Sequence, residues 1–87
     1  MHYVYILRSL ADGTFYKGYT LDYITRLADH NAGSSRYTSK KVPWELVYIE
    51  VFMSKKEALI RERNLKHANT DYILRLINSE RNMLGKL

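Results

Sequence analysis

The fold is decided by YVYILRSLADGTFYKGYTLDYITRLADHN, which occupies residues 3–31. Residues 3–8 and 15–20 are rich in β-branched and aromatic side chains, a composition typical of strands. The ADGT segment between them contains the Asp and Gly that a tight turn favours. Residues 22–31 then show apolar side chains at helical spacing, with a glycine shortly after them. This stretch therefore predicts an antiparallel hairpin followed by a helix.

The two predicted strands have distinct faces, because successive side chains on a strand point to opposite sides. Tyr5 and Leu7 share one face of the first strand, whereas Val4 and Ile6 share the other. Gly18 in the second strand leaves room for another group to approach the backbone closely, or else marks a simple bulge.

The rest of the chain predicts one further strand and two further helices. Residues 33–43 are polar and basic and indicate a loop, with room for one helical turn. Residues 44–52 form the most continuous apolar run, which predicts a central strand buried on both faces. A capping box opens a helix over residues 54–68, and a second helix follows from residue 69. The polar tail, residues 79–87, is expected to fray.

Composition limits the class of protein. The chain has 87 residues, enough for one small domain, which we assign to residues 1–78. It has no cysteine, which excludes disulfides and thiolate metal sites and fits the reducing cytoplasm, where we expect the protein to act. No signal peptide and no membrane-spanning run is expected. The formal charge of +5 favours an anionic partner, most often nucleic acid.

Several polar side chains are expected to gather near the hairpin. Arg26 and His30 are one turn apart on the first helix, beside its apolar stripe. Glu62 falls on the same side of its helix as Ala58 and Leu65, where a carboxylate needs a partner. That partner is either a neighbouring lysine or arginine, or a metal ion. An arginine, a carboxylate and the hairpin tyrosines are groups that phosphodiester hydrolysis can use.

At these residues the sequence resembles the GIY-YIG nuclease family. Tyr3-Val4-Tyr5 stands where that family has Gly-Ile-Tyr, and Tyr16-Lys17-Gly18 where it has Tyr-Ile-Gly. The two motif tyrosines, Tyr5 and Tyr16, are eleven residues apart, and Arg26 follows ten residues later. The similarity covers nearly the whole chain. Two departures are a tyrosine in place of the first motif's glycine and a late family asparagine that has no clear counterpart, with Asn69 and Asn78 as candidates.

The resemblance implies an α+β fold in which a three-stranded antiparallel sheet is flanked by helices. It also implies a DNA endonuclease dependent on Mg²⁺ or Mn²⁺, with Glu62 as the metal ligand and Arg26 stabilising the phosphate. Tyr5 and Tyr16 would lie at the attacking water and the scissile phosphate, one of them as the base, and His30 would tune that base. The implied setting is repair or recombination on branched or damaged DNA, with a protein partner as an open alternative.

The basic side chains complete the expected nucleic-acid site. We expect phosphate contacts from five residues: Lys17, Arg36, Lys40, Lys41 and Lys66. Two alternatives remain at this point. The chain could be a non-catalytic nucleic-acid-binding module that retains the nuclease fold, or a basic interaction domain without any nucleic-acid role. A metal-binding carboxylate favours the enzyme, because a binding module has no need for one.

Overall fold

The structure is a computed structural model that describes residues 1–87. Its elements in chain order are two strands, a helix, a third strand and two more helices. They are β1 (His2–Ser9), β2 (Phe15–Thr20), α1 (Tyr23–Asn31), β3 (Trp44–Phe52), α2 (Lys55–Lys66) and α3 (Thr70–Ile77). A short 3₁₀ turn over Ser39–Lys41 interrupts the loop before β3. No helix has both the length and the apolar character that crossing a membrane requires.

The three strands form one antiparallel sheet in the order β2-β1-β3. This confirms the expected α+β fold with a three-stranded antiparallel sheet and flanking helices. The prediction that residues 44–52 form the central strand is wrong, because β1 lies in the middle and β3 at an edge. The apolar run of β3 has another cause: Tyr48 is buried in one core cluster and Trp44 in another.

Each face of the sheet has its own core. Val4 and Ile6 of β1 pack with Ala58 and Leu65 of α2. Ile73 of α3 joins the same cluster. The face assignment made from strand alternation is thereby confirmed for Val4 and Ile6.

The opposite face carries the second, smaller cluster. It consists of Tyr5, Leu7 and Trp44, with Tyr16 and Leu27 packed against it. Leu27 belongs to α1, so this helix and the loop that follows it cover the face on which Tyr5 lies. The hairpin thus places Tyr5 and Tyr16 together, next to α1.

Local capping explains where the helices begin. The Asp22 carboxylate accepts a hydrogen bond from the Thr25 amide at the start of α1. Ser54 accepts one from the Glu57 amide at the start of α2, and Asn69 does the same for Tyr72 at α3. Gly33 follows α1 with a φ of 80°, in the left-handed region that glycine adopts without strain.

The tail differs from the expectation that it frays, at least at Asn82 and Met83. The Asn82 side chain accepts a hydrogen bond from the Ile49 amide at 3.2 Å and donates to the Val47 carbonyl at 2.9 Å. The Met83 amide donates to the Ile49 carbonyl at 2.9 Å. These bonds occupy the outer edge of β3, which has no neighbouring strand.

Candidate active site

Tyr5 lies at the centre of the site because the facing residue on β2 is a glycine. The two strands pair Tyr5 directly with Gly18. A Cβ atom added at Gly18 would stand 2.5 Å from Tyr5 Cζ, which no real contact tolerates. The predicted close approach to Gly18 is therefore confirmed, and the approaching group is the phenol ring of Tyr5.

A buried chain of hydrogen bonds runs from Tyr5 to the loop after α1. The Tyr5 hydroxyl lies 3.0 Å from His30 Nε2, and His30 Nδ1 lies 2.8 Å from Thr38 Oγ1. All three residues are buried. The Thr38 carbonyl also accepts a hydrogen bond from Trp44 Nε1 at 2.9 Å. Both ring nitrogens of His30 are thus engaged, which fixes the orientation of the imidazole.

Burial and neighbouring charges keep the Tyr5 phenol and the His30 imidazole neutral near pH 7. Burial raises the pKa of Tyr5 to about 12; hydrogen bonding and charge from Arg26 oppose the rise, while Tyr16 and Glu62 add to it. Burial also lowers the pKa of His30, and the positive charge of Arg26 lowers it further. These effects show that Arg26 and Glu62 act on Tyr5, although α1 and α2 lie in different parts of the chain.

Tyr16 lies beside Tyr5 and His30. Its ring centroid is 4.9 Å from that of His30 in an edge-to-face arrangement, and 6.3 Å from that of Tyr5. Tyr16 also lines an open groove of about 380 Å³. The other residues of this groove are Phe15, Lys17, Tyr37 and Lys66. The groove opens to the solvent beside Tyr16, so a ligand in it would contact Tyr16 directly.

Glu62 has the kind of local partner that the sequence offered as the alternative to a metal ion. Lys66, one turn later on α2, lies 3.6 Å from its carboxylate. The lysine side chain is about half exposed, and such pairs contribute little to stability. Arg26 has a weaker pairing, 3.9 Å from Asp29.

The residues present are compatible with one class of metal ion. No three His, Cys, Asp or Glu side chains come together, so a fully protein-ligated metal site is not built. Mg²⁺ and Mn²⁺ fit a site with a single carboxylate, since Mg²⁺ retains several waters and takes further oxygens from substrate phosphates. Glu62, which lies partly exposed on α2 and pairs with Lys66 of the groove, is the carboxylate that such an ion would use.

The expected phosphate-binding residues fall into two groups. Lys17 and Lys66 line the groove beside Tyr16. Arg36 and Lys40 lie exposed in the loop after α1. Lys41 belongs to the same loop, and its ammonium group pairs with Asp12 of the hairpin turn at 3.2 Å, as Lys66 does with Glu62 at 3.6 Å.

Sequence reasoning missed residues that hold the site together. Thr38 sits in a polar loop, where nothing in the sequence distinguishes it from a solvated threonine. Asn31 bonds both backbone groups of Trp44, accepting from its amide at 2.6 Å and donating to its carbonyl at 3.0 Å. Neither candidate for the late asparagine lies at the site: Asn69 caps α3 and Asn78 bonds the carbonyl of Leu74.

Comparison with known proteins assigns the family. The model of the GIY-YIG catalytic domain matches residues 1–78. The chain therefore belongs to the GIY-YIG family.

Within this family the chain is similar to small proteins named UPF0213. One from Halobacterium salinarum is 46% identical over 67 residues, covering 76% of this chain and 86% of the relative. Another, from Staphylococcus haemolyticus, is 43% identical over 77 residues, covering 87% of this chain and 93% of the relative. The solution NMR structure of a UPF0213 protein from Bacillus halodurans is 37% identical with a TM-score of 0.59, covering 92% of this chain and 85% of that one.

Proposed function

We propose that the protein is an endonuclease that hydrolyses DNA phosphodiester bonds with the help of Mg²⁺ or Mn²⁺. The proposal rests on one observation: several polar and charged side chains act on the phenol of Tyr5. Tyr5 is hydrogen-bonded to His30 and is influenced electrostatically by Arg26, Tyr16 and Glu62. His30 is fully buried beside this phenol, and a purely structural core would favour an apolar side chain there, because a buried polar group destabilises unless it is paired.

In this proposal Tyr5 and His30 move a proton. Because its pKa is raised to about 12, the Tyr5 phenol is protonated at neutral pH and is not a preformed base. It can relay a proton instead: its oxygen takes one from the attacking water while its own proton passes to His30 Nε2. As the water oxygen bonds to phosphorus, the P–O bond to one sugar oxygen breaks, and that leaving oxygen takes a proton from the solvent. The relay requires that His30 Nδ1–H donates to Thr38, which leaves Nε2 as the acceptor. The lowered pKa keeps His30 neutral and so ready to accept.

The charged residues complete the mechanism. Arg26 would donate to the phosphate oxygens as negative charge develops on them, a role that suits its planar, permanently charged group. Glu62 would hold the divalent ion, which when bound supplies positive charge and polarises the phosphate. Tyr16 would orient the phosphate from the wall of the groove, and it remains the alternative base.

The decisive experiment combines a substrate panel with two pairs of variants. The purified chain is incubated with plasmid, single-stranded and branched DNAs, with and without Mg²⁺ or Mn²⁺. We expect metal-dependent cleavage of at least one of these DNAs. Glu62→Gln should abolish the metal-dependent cleavage, whereas Glu57→Gln, on the exposed side of the same helix, should not. No cleavage of any DNA with either ion would contradict the proposal.

Arg26 distinguishes an enzyme from a binding module. Arg26→Ala should reduce turnover by about 10²- to 10³-fold, because a preorganised donor to the developing charge is lost. Arg26→Lys should be nearly as harmful, since a point charge cannot reproduce the bidentate fork. DNA affinity should change much less, because other phosphate contacts remain. An equal loss of binding and cleavage would make Arg26 a docking residue and favour the non-catalytic module.

A further inference from the structure

Tyr37 is an exposed aromatic residue at the edge of the groove. It is 76% exposed, although a tyrosine offers a large apolar area for burial. Its ring centroid lies 6.0 Å from that of Tyr16, with the planes inclined by 43°. Lys17 and Lys66 line the same groove. An exposed aromatic ring therefore stands next to a motif tyrosine and two lysines, of which Lys66 is also paired with Glu62.

The backbone at Tyr37 is fixed even though its ring is exposed. The next residue, Thr38, is fully buried. Its side chain bonds His30 and its carbonyl accepts from Trp44. The residue after Tyr37 is thus tied to the buried part of the site, which places the Tyr37 backbone beside the groove.

This combination matches how proteins hold single-stranded nucleic acid. Such sites pair positive charges along the backbone with aromatic rings on which bases stack. In a continuous duplex both faces of every base are covered by neighbouring bases. Only an unpaired or terminal base can offer a face to an exposed tyrosine.

We infer that Tyr37 stacks on an unpaired base next to the phosphodiester bound at Tyr16, with Lys17 and Lys66 neutralising adjacent phosphates. The substrate class is then DNA with an unpaired nucleotide at the cleavage site, such as a single strand, an overhang or a branch, and not a continuous duplex. This inference rests on the proposed function, because it assumes that the groove holds a DNA strand.

The test measures binding without cleavage. The probe is a short single-stranded DNA containing one 2-aminopurine, whose fluorescence is quenched when the base stacks. Divalent ions are replaced by chelator, and a duplex of the same sequence without the unpaired base serves as the second ligand. The variants are Tyr37→Ala, Tyr37→Phe, which keeps the ring, and Met53→Ala as a control at an exposed apolar residue outside the groove.

Tyr37→Ala should weaken binding of the single strand by about 5- to 150-fold, the range given by losing one stacked base. It should also remove the quenching and change duplex affinity by less than about twofold. Tyr37→Phe and Met53→Ala should behave like the unchanged protein. An equal loss on both ligands, or no loss on the single strand, would overturn the inference.

The outcomes also separate this inference from the proposed function. Stacking at Tyr37 without cleavage under any metal condition would retain the inference as a binding property and reject the endonuclease. Cleavage with unchanged single-strand preference in Tyr37→Ala would retain the endonuclease and reject the inference.

Discussion

Tyr5 and Gly18 behave as one unit, since the phenol ring fills the space where a side chain at Gly18 would stand. Gly18→Ala should displace the ring and break its hydrogen bond to His30. We expect a loss of about 1–3 kcal/mol in the free energy of unfolding, as for other overpacked cores. Urea denaturation measures this loss.

The matched control for Gly18 is a double-mutant cycle with Tyr5→Leu. Without the phenol the same Gly18→Ala change should destabilise much less, because the clashing group is gone. Equal losses in both backgrounds would show that Gly18 is needed for the conformation of β2 and not for the ring.

His30 gives the fold a dependence on pH. Its pKa in the folded state is lowered by burial and by Arg26, so the unfolded state binds the proton more readily. The stability contributed by neutral His30 is present above the unfolded pKa of about 6.5 and is lost as the pH falls from there toward the lower folded pKa. Denaturation between pH 8 and pH 5 should show stability decreasing on acidification.

His30→Gln provides the comparison for this pH effect. A glutamine cannot titrate, so the slope of stability against pH should be smaller in that variant. An unchanged slope would assign the acid sensitivity to other groups. The relayed proton also requires neutral His30, so the cleavage rate should fall at a pH below the onset of the stability loss, where His30 of the folded protein takes up its proton.

At the scale of elements, β3 depends on the tail for the hydrogen bonds of its outer edge. Asn82 bonds Ile49, Val47 and also the Ile77 carbonyl, the last at 2.9 Å. Asn82→Ala should therefore lower the free energy of unfolding by about 1–3 kcal/mol, because buried partners are left unsatisfied. The amide of Ile49 should also lose protection in hydrogen exchange.

Asn78→Ala is the control for this prediction. Asn78 makes one side-chain bond, to the Leu74 carbonyl, and lies exposed at the end of α3. Its loss should be small. If Asn82→Ala were equally mild and the Ile49 amide stayed protected, the tail would contribute nothing to β3, and the expectation of fraying would hold after all.

Elements governed by neighbouring residues could be predicted from the sequence. The hairpin, the caps at Ser54 and Asn69, and the glycine after α1 all depend on a few adjacent side chains. The order of the strands could not be predicted from the sequence. A strand in the middle of a sheet and an edge strand that a distant segment covers can have the same apolar run. The link from His30 to Thr38 was missed for the same reason: only the folded chain brings that loop under α1.

At the scale of the whole molecule, the positive charge makes DNA binding dependent on salt. The logarithm of the affinity should fall linearly with the logarithm of the salt concentration, with a slope of roughly −0.7 per phosphate contacted on a single strand. Lys17→Ala should make this slope less steep by roughly 0.7, the contribution of one phosphate contact, because Lys17 lines the groove. Fluorescence anisotropy over a range of salt concentrations measures this slope.

Lys41→Ala is the comparison with the same change of charge. Its ammonium group is already paired with Asp12, so the slope should change less than it does for Lys17. A flat titration for the unchanged protein would favour a basic interaction domain that does not bind nucleic acid.

The contact between the tail and β3 also bears on solubility. An uncovered strand edge is a template on which another chain can add a strand, and proteins commonly avoid this by covering such edges. Residues 1–78 match the family domain, yet the groups that cover β3 come from Asn82 and Met83. A chain cut at residue 78 would keep every proposed catalytic residue, but the outer edge of β3 would be exposed and able to pair with another chain. Its first defect would be self-association that increases with protein concentration, while the chemistry of the site stayed intact.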